Sequence, residues 1–334
     1  MRSTRKQNYK RKMKTRRRGK NKKIKKSKRN QETKPIDMTF KNVQCSPNPG
    51  KQKDYTCLDD ITLLKLKDLW NARHPDVKID STDPKEVWIK LKEYLKSICN
   101  KESCWLKQNF VSGKLDKELK DSFAPVSPAE WKKNPNEWLS SVDILDVMKQ
   151  YEKAYKCFEF MGPSPIDFDT KMMGNQCVWS ELCNFNLQEQ INSGKTKIGI
   201  IFNTDKHTGG GIHWLSLFIN IKKGEIFFYD SAGNKPAKQI QVFIDRVIEQ
   251  GTKLNQTIAN KIPTALGKAG GIAFKSDYNY PNEHQLTTTE CGIYSLYFIV
   301  HMLEDKLTGH YLKTHKIKDK YVEQFRKIYF NEEL

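Results

Sequence analysis

The chain has 334 residues, of which 37% are hydrophobic, and a formal net charge of +20 at pH 7. This length allows one large domain or two ordinary ones. No stretch reaches the roughly 18 apolar residues of a membrane-spanning helix, and the N-terminus lacks the apolar segment of a secretory signal peptide. We therefore expect a soluble intracellular protein.

The positive charge is concentrated at the N-terminus. Residues 1–30 hold 17 Lys or Arg and no Asp or Glu, whereas residues 31–334 hold 42 basic and 39 acidic side chains. A basic arm with almost no apolar surface repels itself, so we expect residues 1–30 to be disordered. Such an arm suits nucleic-acid binding through phosphate contacts, nuclear targeting, or no specific partner at all. The polar residues 31–56 contain "SPNPG" and are predicted to be a linker.

Residues 57–114 predict a small helical region. In "CLDDITLLKLKDLWNARHP" the apolar residues recur at helical spacing until a proline, and in "DPKEVWIKLKEYLKSIC" Asp83 can cap a helix whose first turn holds Pro84. In a reducing compartment the cysteines are expected to be free, packed thiols, including Cys177 and Cys183. Zinc is the weaker alternative for the first four, because no C-x-x-C pair occurs among them. These four are Cys45, Cys57, Cys99 and Cys104.

Residues 115–334 are predicted to form the main domain. Strands and helices are interspersed without a regular β–α–β repeat, which favours the α+β class. The predicted elements are a helix over 140–155, a buried strand over 197–204, a hairpin over 213–231, a helix over 236–251 that ends at Gly251, and a buried helix over 292–305.

The hairpin indicates the first pair of functional side chains. A register that places His213 opposite Asp230 also pairs apolar residues on the same face, namely Leu215 with Phe228 and Leu217 with Ile226. A carboxylate opposite an imidazole can fix its tautomer and stabilise its protonated form. On the hairpin pattern alone, an exposed rim with an incidental His and Asp is the favoured interpretation. Asn234 is the alternative partner if the register is wrong.

A second group lies in "HQLTTTECGIYSLYFIVHML". Cys291 directly precedes an apolar helical segment, and a helix N-terminus favours the reactive thiolate. Gly292 leaves the backbone beside the sulfur uncrowded. The Gln285 amide and the Cys291 backbone N–H could together form an oxyanion hole. The alternative is a simply buried cysteine. His284 adjoins Gln285 but should point the opposite way, and His207, in a glycine-rich loop, has no evident partner.

The ordered set His213, Asp230, Gln285 and Cys291, with "HW" at the histidine and "ECG" at the cysteine, resembles a known family. It is similar to the cysteine proteases that process ubiquitin-like modifiers, the SUMO-protease group, and to the adenovirus and asfarvirus maturation proteinases. The resemblance covers about residues 130–305. It implies a papain-like cysteine protease core, with Cys291 as nucleophile, His213 as base, Asp230 as its orienting group and Gln285 in the oxyanion hole. The implied mechanism needs no metal or other cofactor.

The segment "EWLSSVDILDVM" also resembles this family, in which a tryptophan here and the one after the histidine enclose the Gly-Gly end of the substrate. The resemblance implies that Trp138 and Trp214 are walls of a narrow tunnel. Ser140 and Ser141 stand where the family has Asn and Asp. The resemblance therefore does not imply that the contacts made by the family's Asn and Asp exist in this chain.

The resemblance implies an endopeptidase that cleaves after Gly-Gly-type sites. We expect a viral protease that matures structural polyproteins, because the short core, the helical region and the basic arm suit packaging with DNA. This places it in the virion and the host cytoplasm, with the host nucleus as a further site. Three alternatives remain open: removal of ubiquitin or SUMO from host proteins, an inactive domain in a nucleic-acid-binding structural protein, and acyl transfer to Lys or Ser.

Overall fold

The computed structural model describes residues 44–49, 53–261 and 272–331. The predicted basic arm lies outside these residues, and so does most of the predicted linker. The domain boundaries predicted at residues 57 and 115 stay predictions.

The N-terminal part of the described chain is helical. Its helices are α1 (Asp60–Arg73), α2 (Pro84–Leu95), α3 (Glu102–Trp105) and α4 (Asp116–Ser122). The predicted start of α2 is confirmed, because the Asp83 carboxylate accepts the Glu86 backbone N–H at 2.9 Å and Pro84 occupies the first turn. The helices share a core of their own, which runs from Leu58 to Phe123.

Six cysteines form three disulfides, Cys45–Cys57, Cys99–Cys104 and Cys177–Cys183. Their Cα atoms lie 5.2, 5.6 and 6.3 Å apart, which is within the usual range for a disulfide. The prediction of free thiols was wrong for these six residues. The first four cysteines are paired with one another in two of these disulfides, so the alternative that they bind zinc was also wrong. The spacing of the cysteines along the sequence did not predict that the chain folds back locally and brings the two members of each pair together.

The remaining elements build a mixed sheet with helices on both faces. The strands are β1 (Phe158–Pro165), β2 (Lys197–Asn203), β3 (Trp214–Asn220), β4 (Glu225–Tyr229) and β5 (Lys275–Tyr278), in that spatial order. The outer pairs are parallel and the inner pairs antiparallel. The helices are α5 (Ser141–Ala154), α6 (Ser180–Cys183), α7 (Leu187–Asn192), α8 (Lys238–Lys261), α9 (Cys291–Leu303), α10 (Gly309–Thr314), α11 (Asp319–Val322) and α12 (Arg326–Tyr329). The predicted α+β class is confirmed.

Alternating side chains of β4 show how the two faces are covered. Ile226 and Phe228 belong to the core cluster that also contains the apolar face of α8. Tyr229 points the other way and stacks on Phe298 of α9, with ring centroids 4.9 Å apart. Helix α9 is apolar on every side because it lies between this face and other helices.

The predicted hairpin exists, but its register is shifted by two residues. Strands β3 and β4 pair Leu217 with Phe228 and Ile219 with Ile226. A two-residue shift leaves every side chain on its original face, so alternation could not distinguish the two registers. The turn over residues 221–224 decides between them, and it ends at Gly224, whose φ is +65°.

Helix α8 also differs from its prediction, because it continues to Lys261 instead of ending at Gly251. A Cβ atom at position 251 would collide with the ring of Phe274. The glycine therefore serves close packing against Phe274 and is not a helix terminator.

Candidate active site

The open end of the β3–β4 hairpin brings His213 and Asp230 together. His213 directly precedes β3, Asp230 directly follows β4, and His213 Nε2 lies 2.7 Å from Asp230 Oδ1. The contact is present despite the register shift. Asp230 is only 2% exposed and also accepts the Ala232 N–H at 2.9 Å and the Asn234 side-chain N–H at 2.8 Å. Asn234 therefore supports Asp230 and does not replace it.

The charges of this pair favour a protonated histidine. Burial lowers the pKa of His213, but hydrogen bonds to Asp230 and Cys291 and their negative charges outweigh burial and raise it to about 10. Burial raises the pKa of Asp230, but its bonds to His213 and Asn234 leave that pKa below its ordinary value. Because Nε2 is bound to Asp230, Nδ1 is the ring nitrogen that faces the thiol.

Cys291 is the first residue of α9 and is 2% exposed. The amides of the first helical turn have no partner within the helix, and the positive end of the helix dipole stabilises an anion there. The positions of these groups suit an imidazolium–thiolate pair.

Gln285 lies close to the end of the hairpin. Its backbone N–H donates to the Ser231 carbonyl at 2.9 Å, and its side-chain Oε1 accepts the Ser231 hydroxyl at 2.7 Å. Its Nε2 donates to the Thr287 carbonyl at 2.9 Å. The amide is thus held within the same buried region as the hairpin end.

Charged side chains from the C-terminal segment hold both ends of the loop between Gln285 and Cys291. Asp319 accepts the backbone N–H groups of Leu286 and Thr287, each at 2.9 Å. Arg326 forms two hydrogen bonds, of 2.9 and 3.0 Å, with the buried carboxylate of Glu290. Sequence reasoning missed these residues, because they lie 32 to 36 positions after their partners in the loop and no local pattern marks them.

The two tryptophans are linked to the start of α9 through Leu139. Trp214 Nε1 donates to the Leu139 carbonyl at 3.0 Å, and Trp138, which is half-buried, directly precedes Leu139. A Cβ atom on Gly292 would lie 3.1 Å from the Leu139 side chain. The expectation that the backbone at Gly292 is uncrowded was therefore wrong, because a side chain at this position would press against Leu139.

His207 and His284, the two other histidines that the sequence singled out, have structural partners. His207 Nδ1 lies 2.8 Å from Asp167 Oδ2, so the expectation that His207 has no partner was wrong. The buried ring of His284 bonds to the Leu312 carbonyl and the Ile317 N–H, at 3.0 and 3.1 Å. Burial lowers the pKa of His284 to about 4, so the ring is neutral near pH 7.

A thiol at a helix N-terminus, bonded to a histidine that a carboxylate orients, defines the class of thiol hydrolases. Residues 184–334 match the Ulp1 protease family, C-terminal catalytic domain. This part of the chain is similar to that family, and together with the thiol and cysteine protease relatives below the match shows that the chain is a cysteine-type peptidase. The resemblance drawn from the sequence is confirmed.

Viral proteins are among the relatives. The chain is 28% identical over 275 residues to R355 of Acanthamoeba polyphaga mimivirus, which carries a thiol-protease name, over 78% of this chain and 84% of that one. It is 25% identical over 243 residues to a cysteine protease of African swine fever virus, over 68% of this chain and 81% of that one. A crystal structure of the African swine fever virus protease matches with a TM-score of 0.60 at 18% identity, over 87% of this chain and 96% of that one, which shows the shared fold.

Within the described ranges, no helix is both long and apolar enough to cross a membrane.

Proposed function

We propose that this peptidase is an endopeptidase that cleaves after Gly-Gly-type sequences and matures viral structural polyproteins. The observation that carries the proposal is the buried His213–Asp230 contact beside Cys291 at the start of α9. Asp230 orients the ring and holds it protonated, so that Nδ1 can exchange a proton with the thiol and then with the leaving amine.

The reaction proceeds by acyl transfer. The Cys291 sulfur attacks the carbonyl carbon of the second glycine, and Gln285 Nε2 and the Cys291 backbone N–H bind the resulting oxyanion. The intermediate collapses as the C–N bond breaks, and His213 protonates the amine that leaves. A water molecule then attacks the thioester, gives a proton to His213, and releases the new carboxyl terminus and the thiol.

The preference for glycine is supported by the position of the two tryptophans. Leu139 touches Gly292 beside the nucleophile and accepts a hydrogen bond from Trp214, while Trp138 is its chain neighbour. Two aromatic rings attached to one wall of the site can leave a channel that only residues without side chains enter. Trp138 and Trp214 are accordingly proposed to bind the Gly-Gly end of the substrate.

The viral relatives support polyprotein maturation, and we assign the protein to the virion and the host cytoplasm, with the host nucleus as a further site. The alternative is the removal of ubiquitin or SUMO from host proteins. It is favoured by the name of one African swine fever virus relative, which is called a SUMO-1 cysteine protease. The basic residues 1–30 are proposed to bind nucleic acid through phosphate contacts.

Turnover of two fluorogenic substrates tests the proposal: a peptide with a Gly-Gly-X site, and whole SUMO or ubiquitin with the fluorophore at its C-terminus. We expect the wild type and Cys157→Ala to cleave the peptide and Cys291→Ala to be inactive. Cys157 is the matched control because it is the other unpaired cysteine of the described chain. Cleavage of the whole modifier alone would favour the alternative. Turnover that survives in Cys291→Ala would overturn the proposal.

Binding to duplex DNA at several salt concentrations tests the role of the arm. The full chain should bind with an affinity that falls steeply as salt rises, and deletion of residues 1–30 should abolish binding. Equal binding by both proteins would contradict this role.

A further inference from the structure

The side-chain amide of Gln285 is held at both ends. Its oxygen accepts the hydroxyl proton of Ser231 at 2.7 Å, and its nitrogen donates to the Thr287 carbonyl at 2.9 Å. Ser231 is 2% exposed and Gln285 is 8% exposed, so little water is available to replace either bond. The amide therefore has one preferred orientation.

That orientation matters because the two ends of an amide have nearly the same shape and opposite polarity. If the Gln285 amide turned over, its oxygen would face the oxyanion and repel it. The Thr287 carbonyl can only accept a hydrogen bond, so it requires the NH2 group on its side. The nitrogen carries two hydrogens, and one of them remains free for the oxyanion.

Asp319 fixes the two peptide groups that directly precede this carbonyl. Its carboxylate accepts the N–H of Leu286 and of Thr287 at 2.9 Å each, and it also accepts the hydroxyl of Tyr294 at 2.9 Å. Tyr294 lies in the first turn of α9, which begins at Cys291. One carboxylate thus holds the residues after Gln285 against the helix that carries the nucleophile.

Ser231 connects the amide to the other half of the site. It directly follows Asp230, and its backbone carbonyl accepts the N–H groups of His284 and Gln285 at 2.8 and 2.9 Å. Ser231 is therefore bonded to Gln285 through both its main chain and its side chain. A displacement of the Asp230 strand end would move the oxyanion donor with it.

We propose that Ser231 and Asp319 are positioning residues that orient the Gln285 amide so that its free N–H points at the oxyanion. Ser231 acts on the amide oxygen, and Asp319 acts on the amide nitrogen through the Thr287 carbonyl. This inference rests on the proposed role of Gln285 in the oxyanion hole.

Two rates measured on the same full-length variants separate this role from a purely structural one. The first is kcat, with KM, for the Gly-Gly-X peptide. The second is the rate at which iodoacetamide alkylates Cys291, a reaction in which the sulfur displaces iodide and no oxyanion forms. A lost oxyanion donor should lower kcat and leave alkylation unchanged, whereas a disturbed nucleophile should lower both.

We expect Gln285→Ala to lower kcat about 100-fold. Ser231→Ala should lower it about tenfold at nearly unchanged KM, because one buried hydrogen bond is lost. The double variant Ser231→Ala with Gln285→Ala should be no slower than Gln285→Ala alone, since Ser231 acts only through the glutamine. All three should be alkylated at the wild-type rate. Asp319→Asn, which keeps the shape of the side chain, should also lower kcat, and this loss too should disappear in the Gln285→Ala background.

Ser216→Ala is the matched control. Ser216 is fully buried in β3, and its hydroxyl has no hydrogen-bond partner within the described structure. Its kcat should equal that of the wild type. Full activity of Ser231→Ala, or losses that simply add to that of Gln285→Ala, would overturn the positioning role alone. Full activity of Gln285→Ala, or no peptide turnover by the wild type, would overturn the proposed function and this inference with it.

Discussion

The two halves of the active site are held in place by different kinds of structure. The hairpin half, His213 and Asp230, lies at the end of two paired strands, so the backbone ladder itself brings the residues together. The loop half, Gln285 and Cys291, is joined by residues that belong to no strand. Side chains distant in sequence hold that loop, chiefly Asp319 and Arg326.

This difference shows that one site can combine a local and a non-local scaffold. A hairpin end is specified by a short stretch of chain, and its geometry tolerates surface changes. A loop held by charged side chains depends on each of them, because a buried charge that loses its partner remains in a region that water does not reach. We therefore expect the loop half to be the more easily damaged by a change outside the catalytic residues.

The largest effect is expected within the hairpin half itself. His213→Ala removes the group that moves protons in both steps, so kcat/KM for the Gly-Gly-X peptide should fall by at least about 10,000-fold. His310→Ala, which changes an exposed histidine outside the site, should retain full activity. Substantial peptide turnover by His213→Ala would show that another base serves Cys291.

Next in size is a change that disrupts the loop half from a distance. Arg326→Gln leaves the buried Glu290 carboxylate without its partner, which should lower the free energy of unfolding by about 3–5 kcal/mol. Urea unfolding monitored by circular dichroism measures it. Adding Glu290→Gln should restore part of the loss, because the unpaired charge is then removed.

Lys313→Gln is the control for this comparison. It breaks the exposed ion pair with Asp277 and should cost less than about 1 kcal/mol. Equal losses for Arg326→Gln and Lys313→Gln would contradict the view that the buried pair holds the loop half.

The electrostatic coupling between His213 and Asp230 in the hairpin half can be measured from the pH dependence of kcat/KM. Asp230 helps to raise the pKa of His213 to about 10, so Asp230→Asn should lower that pKa and keep the contact geometry. Because the active pair needs a protonated ring, the alkaline limb of the kcat/KM profile should move to lower pH, and kcat should fall about 100-fold. Asn234→Ala should move the limb in the same direction by less. An alkaline limb that stays in place in Asp230→Asn would contradict the assignment.

The smallest effect on activity is expected for two buried histidines, His284 in the loop half and His301 in α9, whose protonation affects stability instead. Burial lowers the pKa of each to about 4, whereas the unfolded chain titrates near its ordinary value of 6.5. Between these pH values the unfolded state binds more protons, so stability falls as pH drops from about 6.5 to 4. Each ring contributes up to about 3 kcal/mol.

Urea unfolding at pH 7 and pH 4.5 measures this dependence, and His301→Gln should reduce it by about half. The same variant should retain its kcat at pH 7, because His301 lies outside the site. A difference between the two pH values that is unchanged in His301→Gln would show that other groups carry the acid sensitivity.

Much of the hairpin half could be predicted from the sequence, since apolar alternation is a local signal. The Asp83 cap, which starts α2 in the N-terminal helical region, is another local signal that was predicted correctly. These local signals gave a wrong prediction where one sequence pattern is compatible with two structures. The hairpin register depends on the turn that ends at Gly224, and Gly251 packs against Phe274 within α8 instead of ending that helix. Six cysteines were predicted as free thiols because redox compartment was inferred from composition, whereas pairing depends on which Cα atoms the fold brings within about 6 Å.

The sequence by itself determined the order of the candidate residues His213, Asp230, Gln285 and Cys291, the resemblance to a protease family, and the helix that begins at the thiol. Only the tertiary structure decided what holds these groups: Ser231 and Thr287 on the Gln285 amide, Asp319 on the loop, and Arg326 on Glu290. The physical reason is the range of the interactions. Helix periodicity, caps and hairpin alternation act over a few residues, whereas the bonds that Ser231, Asp319 and Arg326 make to the loop half join residues more than 30 positions apart, which no local pattern can mark.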